Sequence, residues 1–131
     1  MWQMEAYLNE KKIYSFLSVG WGLLADIDVE SEVLRALGEP RFTLWSFLRL
    51  ANLKTYTAEL SYIPSEKSSP PVKINSDFIS IFASCQSYLG SELLFAPEAT
   101  PNDGCIHLTF SKGSVGRVCA TQFLLGLSNG K

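Results

Sequence analysis

The fold of this chain depends most on the stretch from Tyr14 to Glu32, which reads YSFLSVGWGLLADIDVESE. Its first half is mostly apolar on both alternating faces, a pattern typical of a strand that is covered on two sides. We therefore predict a strand over 12–24, paired in a hairpin with a strand over 3–8. Gly20 and Gly22 inside this strand indicate a bulge, or a place where another group approaches the backbone closely.

Helices and further strands are predicted downstream from periodicity and turn residues. We expect helices over 29–37, 43–56 and 115–127, strands over 58–63, 77–89 and 105–110, and a surface loop over 64–75. The middle helix should bury a stripe at helical spacing, formed by Leu44, Phe47, Leu48 and Ala51. The pattern does not alternate strand and helix as a parallel sheet would, so the predicted class is α+β. We expect a partial antiparallel β-sandwich with helices on its rim, in a single partial domain spanning 1–131.

Composition limits the functions open to the chain. It has 131 residues, enough for one domain, of which 47% are hydrophobic and 18% charged. The net charge of −2, without a basic stripe, argues against a nucleic-acid partner. Three widely spaced cysteines and one histidine support neither a zinc site nor a disulfide framework, so no metal is expected. The longest apolar run, 13–25, is too short to span a membrane, and we expect a cytoplasmic protein.

Two carboxylates, Asp26 and Asp28, follow the apolar strand and allow three interpretations. In the first, Asp28 caps the helix that follows and Asp26 is an ordinary acid at the end of a strand. In the second, Asp28 lies at the mouth of an apolar pocket and holds a cationic amine or a hydroxyl group. In the third, both acids and Glu30 bind a metal ion. The residues alone leave all three open.

Arg35 and Arg41 lie on either side of the turn at 38–40. Arg41 precedes the predicted helix 43–56, where a positive charge is unfavourable to the helix dipole unless an anion also binds there. The pattern therefore fits an anion site. It fits equally well two surface arginines that pair with Glu32 or Glu39.

The apolar residues are numerous for so short a chain, and each is compatible with an ordinary core or with the wall of a ligand pocket. The positions in question are Leu24, Ile27, Phe42, Leu89, Leu93, Phe123 and Leu124. An alkyl chain of about a dozen methylenes would contribute up to ~10 kcal/mol of binding, at ~0.8 kcal/mol for each buried methylene. A lipid pocket would therefore need few polar contacts.

Several consecutive motifs in this sequence follow the order and spacing of a known family. They are FLSVGWG (16–22), ADIDVESE (25–32), RALGE (35–39), RFTL (41–44) and LKTY (53–56), followed by the weaker YLGSE (88–92) and FAP (95–97). On these motifs the chain resembles the sphingosine kinases over about residues 12–127, most densely over 14–63. The resemblance implies a lipid-kinase fold with two lobes, of which one binds ATP and the other, a β-sandwich of the lipid-kinase C-terminal domain type, holds the lipid in a tunnel.

The resemblance also implies roles for particular residues. Asp28 would contact the head group of the substrate, Ser18 would be a nearby polar contact, and Arg35 and Arg41 would reach the phosphates of ATP. The positions that line the lipid tunnel would be Leu24, Ile27, Phe42, Ser46, Leu89, Leu93, Ala120, Phe123 and Leu124. The helices 43–56 and 115–127 would form the gate over the lipid.

The sequence departs from the family pattern in ways that bear on activity. It has no Gly-Gly-Asp-Gly loop, the motif implied to carry the catalytic aspartate and much of the ATP site, so no catalytic residue is assigned. It also lacks the closing strands with the family's Asp-Gly-Glu near the nucleotide. The resemblance implies a sphingosine kinase that transfers phosphate from ATP with Mg²⁺ to the primary hydroxyl of sphingoid bases, with this chain supplying the lipid pocket. The expected partners are a sphingoid-base lipid, the ATP-binding lobe of the same protein and, peripherally, a membrane surface.

The missing lobe leaves a second functional class open. Phosphoryl transfer depends on positioning and on charge stabilisation around the phosphates, so a chain without the ATP lobe should be inactive by itself. The alternative is a non-catalytic lipid-binding or interaction module, or a truncated product without activity.

Overall fold

The computed structural model describes residues 4–38, 40–66, 68–90, 93–100 and 102–128. Its strands are β1 (Met4–Leu8), β2 (Lys11–Ser15), β3 (Ser18–Gly22), β4 (Tyr56–Tyr62), β5 (Val72–Ser84), β6 (Tyr88–Gly90), β7 (Leu93–Leu94) and β8 (His107–Lys112). Its α-helices are α1 (Leu23–Ser31), α2 (Pro40–Ala51) and α3 (Gly116–Ser128). Short 3₁₀ helices follow α1 at Glu32–Leu37 and precede α3 at Gly113–Val115.

The long strand β5 organises the main sheet, and every pairing in that sheet is antiparallel. Its first half pairs with β4, from Val72 opposite Tyr62 to Phe78 opposite Tyr56. Its second half pairs with both β3 and β8. The strands β1 and β2 form a separate hairpin, and β6 with β7 forms another. The architecture is therefore α+β with an antiparallel sheet, as predicted.

The hydrophobic core joins the sheet to the helices. Its buried centre consists of Leu23 and Ile27 from α1, Ile79 from β5 and Ala120 from α3. Partly buried side chains complete it, namely Phe42, Trp45, Leu50, Leu53 and Leu124. Because three helices contribute to this one cluster, their relative positions depend on it.

The predicted strand over 12–24 is wrong, because the chain leaves the strand twice within it. β2 ends at Ser15, and β3 belongs to a different sheet. The helix α1 begins at Leu23, six residues before the predicted start at Val29. Gly22 adopts φ 87°, which turns the chain out of the strand. The periodicity of a short apolar run does not distinguish a strand from a helix. In this run the backbone conformation of Gly22 marks the point where the strand ends and the helix begins.

The two glycines of β3 lie where other groups approach the backbone closely, as one of the two predicted alternatives requires. A side chain at Gly20 would overlap the ring of Phe82, whose nearest carbon would lie 2.1 Å from the added atom. At Gly22 the backbone oxygen of Ile79 would lie 2.3 Å away. The close packing of β3 against β5 therefore requires glycine at position 22, where backbone is in the way, and at position 20 it leaves a side chain no room unless the ring of Phe82 moves.

The second helix begins and ends earlier than predicted. It starts at Pro40, a residue that suits the first position of a helix because its backbone lacks an N–H group there. It ends at Ala51, and Tyr56 already belongs to β4. Of the predicted buried stripe, Leu44, Phe47 and Leu48 are exposed, with 67% of Phe47 accessible. The stripe indicated an apolar side of the helix correctly, but it is not the side that packs on the core.

The remaining boundaries differ by a few residues. The connection between β4 and β5 ends at Pro71, since Val72 is already in β5. The predicted strand over 77–89 is two strands, because β5 ends at Ser84 and bends before β6. None of the described helices combines the length and the apolar character needed to cross a membrane.

Candidate functional site

Asp26 lies on the inner side of α1, where it meets a buried cation. Its carboxylate accepts a hydrogen bond from Nη2 of Arg49 on α2 and forms an ion pair with it. The hydroxyl of Tyr56, the first residue of β4, donates to the same oxygen at 2.6 Å. This hydrogen bond raises the pKa of Tyr56, because deprotonation would place two negative charges together. Asp26 is therefore not the ordinary acid at a strand end that one interpretation predicted.

Arg49 is a buried charge, with 6% of the residue exposed. Besides Asp26 it contacts Glu30 of α1, whose Oε2 lies 3.2 Å from Nε. That contact is electrostatic, since this Nε has no hydrogen-bond partner among the described residues. Trp45 donates its indole N–H to the same Glu30 oxygen at 3.0 Å. We call these five residues, Asp26, Glu30, Trp45, Arg49 and Tyr56, the Arg49 network.

Arg49 is a functional candidate that periodicity misses, because the predicted helix starts at Val29 and α1 starts at Leu23. With the helix beginning at Leu23, Asp26 and Glu30 are four residues apart on one helical face. Trp45 and Arg49 have the same spacing on α2. Polar residues spaced four apart on two neighbouring helices indicate that the helices contact each other through these side chains. This spacing can be recognised on α1 only when the helix is known to include Asp26.

Asp28 lies within α1 and is exposed. It is not a helix cap, because Gly22 precedes the first helical residue. Its side chain has no hydrogen-bond or ion-pair partner in the described part of the chain, whereas its carbonyl oxygen accepts a hydrogen bond from Ser31 at 3.2 Å. Leu24, one turn earlier on the same helical face, is half-buried. The carboxylate therefore lies in solvent, on the same helical face as one half-buried apolar residue.

Metal binding by Asp26, Asp28 and Glu30 was the third interpretation. Asp26 and Glu30 are directed at Arg49, and Asp28 lies on the other side of the helix. Among the described residues no three histidine, cysteine, aspartate or glutamate side chains are grouped to hold an ion.

The two arginines predicted to contact phosphate share one carboxylate. Nη1 of Arg41 lies 2.7 Å from Glu32, and Nη1 of Arg35 lies 3.5 Å from it. The guanidinium of Arg41 also stacks on the ring of Phe42, 4.4 Å from its centre, and only 12% of its side chain is exposed. The hydrogen bond from Arg41 lowers the pKa of Glu32. Arg35 is 81% exposed and is available to a further anion.

Part of the predicted tunnel lining converges in the core. Ile27 and Ala120 are in its buried centre, and Phe42 and Leu124 pack against it. Ser46, one turn after Phe42 on α2, donates a hydrogen bond to the carbonyl oxygen of Phe42 at 2.7 Å.

The other predicted lining residues lie apart from this cluster or cannot be placed. Leu89 is half-buried in β6. Leu93 lies in β7, which approaches α3, but its side chain and that of Phe123 are outside the described residues. Ser18 begins β3, where its carbonyl oxygen accepts a hydrogen bond from Ser15 at 2.8 Å.

A depression in the described surface lies away from these residues, none of which lines it. It has a volume of about 290 Å³ and is lined by Phe95, Ala96, Pro97, Glu98, His107, Leu108 and Thr109. The space between α1, α2 and α3 is filled instead by the side chains of the core. The roles of Asp28 and of the lining residues in lipid binding therefore stay predictions.

Comparisons with known proteins identify relatives over almost the whole chain. Sphingosine kinase 1 of Homo sapiens is 34% identical over 149 aligned residues, which cover 92% of this chain and 39% of that protein. Sphingosine kinase 1 of Mus musculus is 32% identical over 148 residues, with the same coverage. Sphingosine kinase 2 of Homo sapiens is 52% identical over a shorter stretch of 61 residues, 45% of this chain and 9% of that protein. No protein-family profile matches the chain. The chain spans about two fifths of the length of the curated relatives that match it most fully.

Proposed function

We propose, from the relationship of this chain to the sphingosine kinases over 92% of its length, that it forms the lipid-binding part of a sphingosine kinase. The reaction would transfer the γ-phosphate of ATP to the primary hydroxyl of a sphingoid base. The chain would bind the base, and the nucleotide would be held mainly by an ATP-binding lobe. The relationship to the human enzyme is the observation that carries this proposal.

The apolar cluster between the helices supports a lipid site in this place. Four of the predicted lining residues, Ile27, Phe42, Ala120 and Leu124, already lie together. Because side chains fill that space, a lipid chain would enter by separating α2 from α3. Phe42 and Leu124, which are only partly buried, would then exchange part of their packing against the core for contacts with the alkyl chain.

Asp28 would provide the selectivity for a cationic head group. Its exposed carboxylate has no partner among the described residues, so an ammonium group would not have to displace one. Two opposite unit charges 4 Å apart near a protein surface attract each other by about 4 kcal/mol before desolvation is subtracted. We expect a net preference for an amine over a neutral amide of about tenfold, which corresponds to about 1.4 kcal/mol.

Arg35 and Arg41 fit the phosphates of ATP with Mg²⁺. Two guanidinium groups near one carboxylate leave a net positive charge, and guanidinium binds phosphate oxygens in a bidentate manner. In this proposal Glu32 and Phe42 hold Arg41 in place, and the exposed Arg35 completes the contact. The nucleotide would supply the transferred phosphoryl group.

A membrane surface is the expected source of the lipid. The side of α2 turned away from the core presents Leu44, Phe47 and Leu48 to solvent. Neighbouring apolar side chains exposed on one helical face are suited to insertion among lipid head groups.

The test is a titration of the chain with sphingosine and with ceramide in detergent, followed by tryptophan fluorescence. Trp45 packs against the core, so its emission should respond when a lipid enters. We expect sphingosine to bind about tenfold more tightly than ceramide, and Asp28→Asn to remove this difference.

The matched control is Glu66→Gln, which removes an exposed carboxylate from the loop between β4 and β5. It should leave both affinities unchanged. Equal affinity of the unmodified chain for sphingosine and ceramide would contradict the role of Asp28, and the absence of any saturable binding would contradict the lipid site itself.

A further inference from the structure

The Arg49 network connects three elements through one buried charge. Arg49 on α2 is paired with Asp26 and Glu30, both on α1. Tyr56 binds Asp26 from β4 at 2.6 Å, and Trp45 binds Glu30 from α2 at 3.0 Å. Each acid of α1 that faces inward therefore has one ionic contact and one neutral hydrogen bond.

These contacts fix the rotation of α1 about its own axis. Residues four apart lie on one side of a helix, and the residue midway between them points to the opposite side. Asp26 and Glu30 are such a pair, and Asp28 is the residue midway between them. While both inward acids stay bound to Arg49, the carboxylate of Asp28 stays directed outward.

Stability alone is a weak explanation for this arrangement. Removing charges from water is costly, and apolar side chains of similar volume often stabilise a core as well as a buried ion pair does. Buried polar groups have a better-attested role in selecting one arrangement among several. The neighbouring core residues Leu23 and Ile27 hold α1 against the core by apolar contacts, which have little directionality, and the paired charges add a directional constraint on its rotation.

We propose that Arg49 is a positioning residue, which orients Asp28 toward the amine of the lipid by holding Asp26 and Glu30 on the inner side of α1. This inference rests on the proposed function, in which Asp28 binds that amine. It assigns no contact between Arg49 and the lipid, since the guanidinium is buried against α1.

The test is a double-mutant cycle on sphingosine affinity, with Arg49→Lys, Asp28→Asn and both changes together. Lysine keeps the charge but cannot contact both carboxylates through a planar, forked group. We expect Arg49→Lys to weaken sphingosine binding about fivefold to tenfold. In the Asp28→Asn background the same change should alter affinity less than twofold, because Arg49 then has no carboxylate to orient.

Two measurements separate positioning from folding. The affinities are measured well below the melting temperature of each variant, so that loss of folded protein does not enter. Arg117→Lys, a change at an exposed arginine on α3, should leave affinity unchanged. If Arg49→Lys does not fold, the cycle is run with Tyr56→Phe, which removes the hydroxyl group that donates to Asp26 and leaves both charges in place. We expect a smaller, twofold to threefold effect with the same dependence on Asp28.

The outcomes distinguish this inference from the function on which it rests. If the unmodified chain prefers sphingosine to ceramide but Arg49→Lys weakens binding equally with and without Asp28, positioning is wrong and the function stands. If sphingosine affinity is unchanged in both Arg49→Lys and Tyr56→Phe, the positioning role of Arg49 is also wrong and the proposed function stands. If the unmodified chain shows no amine preference, the role of Asp28 fails, and the positioning role fails with it.

Discussion

At the scale of single residues, the carboxylate of Asp103 organises the turn before β8. It accepts hydrogen bonds from the backbone N–H groups of Thr100 at 3.0 Å and Cys105 at 2.8 Å. Nε2 of His107 lies 2.9 Å from the same side chain. These contacts favour the ionised form, the backbone bonds most strongly, and lower the pKa of Asp103 to about 2.

This lowered pKa predicts a specific dependence of stability on pH. An aspartate in the unfolded chain titrates near pH 3.9, so the stabilising contribution of Asp103 is complete above that pH. It is lost as the pH falls from about 4 to about 2, where the folded form also takes up a proton. We expect Asp103→Asn to make the melting temperature, followed by circular dichroism, depend less steeply on pH in this window.

Glu66→Gln is the control, since its side chain lies in an exposed loop. It should retain the slope of the unmodified chain. A slope that is the same in all three proteins would show that the turn at Asp103 contributes nothing to acid sensitivity.

The contacts of single side chains were predictable only where the two partners are near each other in the sequence. The pairing of Arg41 with Glu32, nine residues away, was one of the two interpretations of that arginine. The pairing of Arg49 with Asp26 spans 23 residues and two helices, and it depends on how those helices pack. Nothing local in the sequence fixes such a contact.

At the scale of elements, α2 has two apolar sides with different environments. Phe42 and Trp45 pack against the core, whereas Leu44, Phe47 and Leu48 are exposed. Periodicity identified the second group as the buried one because it has the cleaner i, i+3, i+4 spacing. The inner side contains a buried arginine, and a charged residue there obscures its apolar character.

The exposed side of α2 predicts binding to lipid vesicles. Leu44, Phe47 and Leu48 are 48%, 67% and 51% exposed, so insertion would remove about half of each side chain from water. At about 1.5–3 kcal/mol for a whole side chain, the three would contribute about 3 kcal/mol, or roughly a hundredfold in affinity. We expect replacement of all three by glutamine to reduce sedimentation with phosphatidylcholine–phosphatidylserine vesicles by at least tenfold.

The stability of the folded chain provides the check on that experiment. Because these side chains are half-exposed or more, the triple change should alter the free energy of unfolding in urea only slightly, by about 1 kcal/mol or less. Ile63→Gln, at a residue that is 75% exposed beyond the end of β4, should leave vesicle binding unchanged. Equal loss of binding in that control would indicate a general effect of lower hydrophobicity and would exclude a specific face.

At the scale of the whole molecule, the fold class could be predicted from the sequence, whereas the pairing of distant strands could not. Alternating apolar strands and the absence of a repeated strand–helix order predicted an α+β class, which is confirmed. The position of β5 at the centre of the sheet was not predicted. Its neighbours β3 and β8 pair with it across 58 to 66 and 23 to 34 residues of chain respectively. Contacts between such distant segments leave no periodic trace in sequence.

The hairpin of β1 and β2 predicts an uneven distribution of local stability. In the described part of the chain it pairs with no strand of the main sheet, and Ile13 and Tyr14 on β2 are 45% and 58% exposed. A lone two-stranded hairpin is marginally stable in water, whereas β5 is paired on both sides and contains the buried Ile79. We expect backbone amides of β2 to exchange with deuterium at least 100-fold faster than those of β5 near Ile79.

The turn of this hairpin allows a matched test of the same prediction. Asn9 and Glu10 both have positive φ, 47° and 67°, which is the geometry of a type I′ turn. Glycine adopts this conformation without the ~1–2 kcal/mol cost that other residues incur, so Glu10→Gly should stabilise the hairpin by about 1 kcal/mol. Exchange in β1 and β2 should then slow about fivefold, while exchange in β5 stays the same, because the two sheets open independently. Slowing of equal size in β5 would instead mean that the hairpin and the main sheet unfold as one unit.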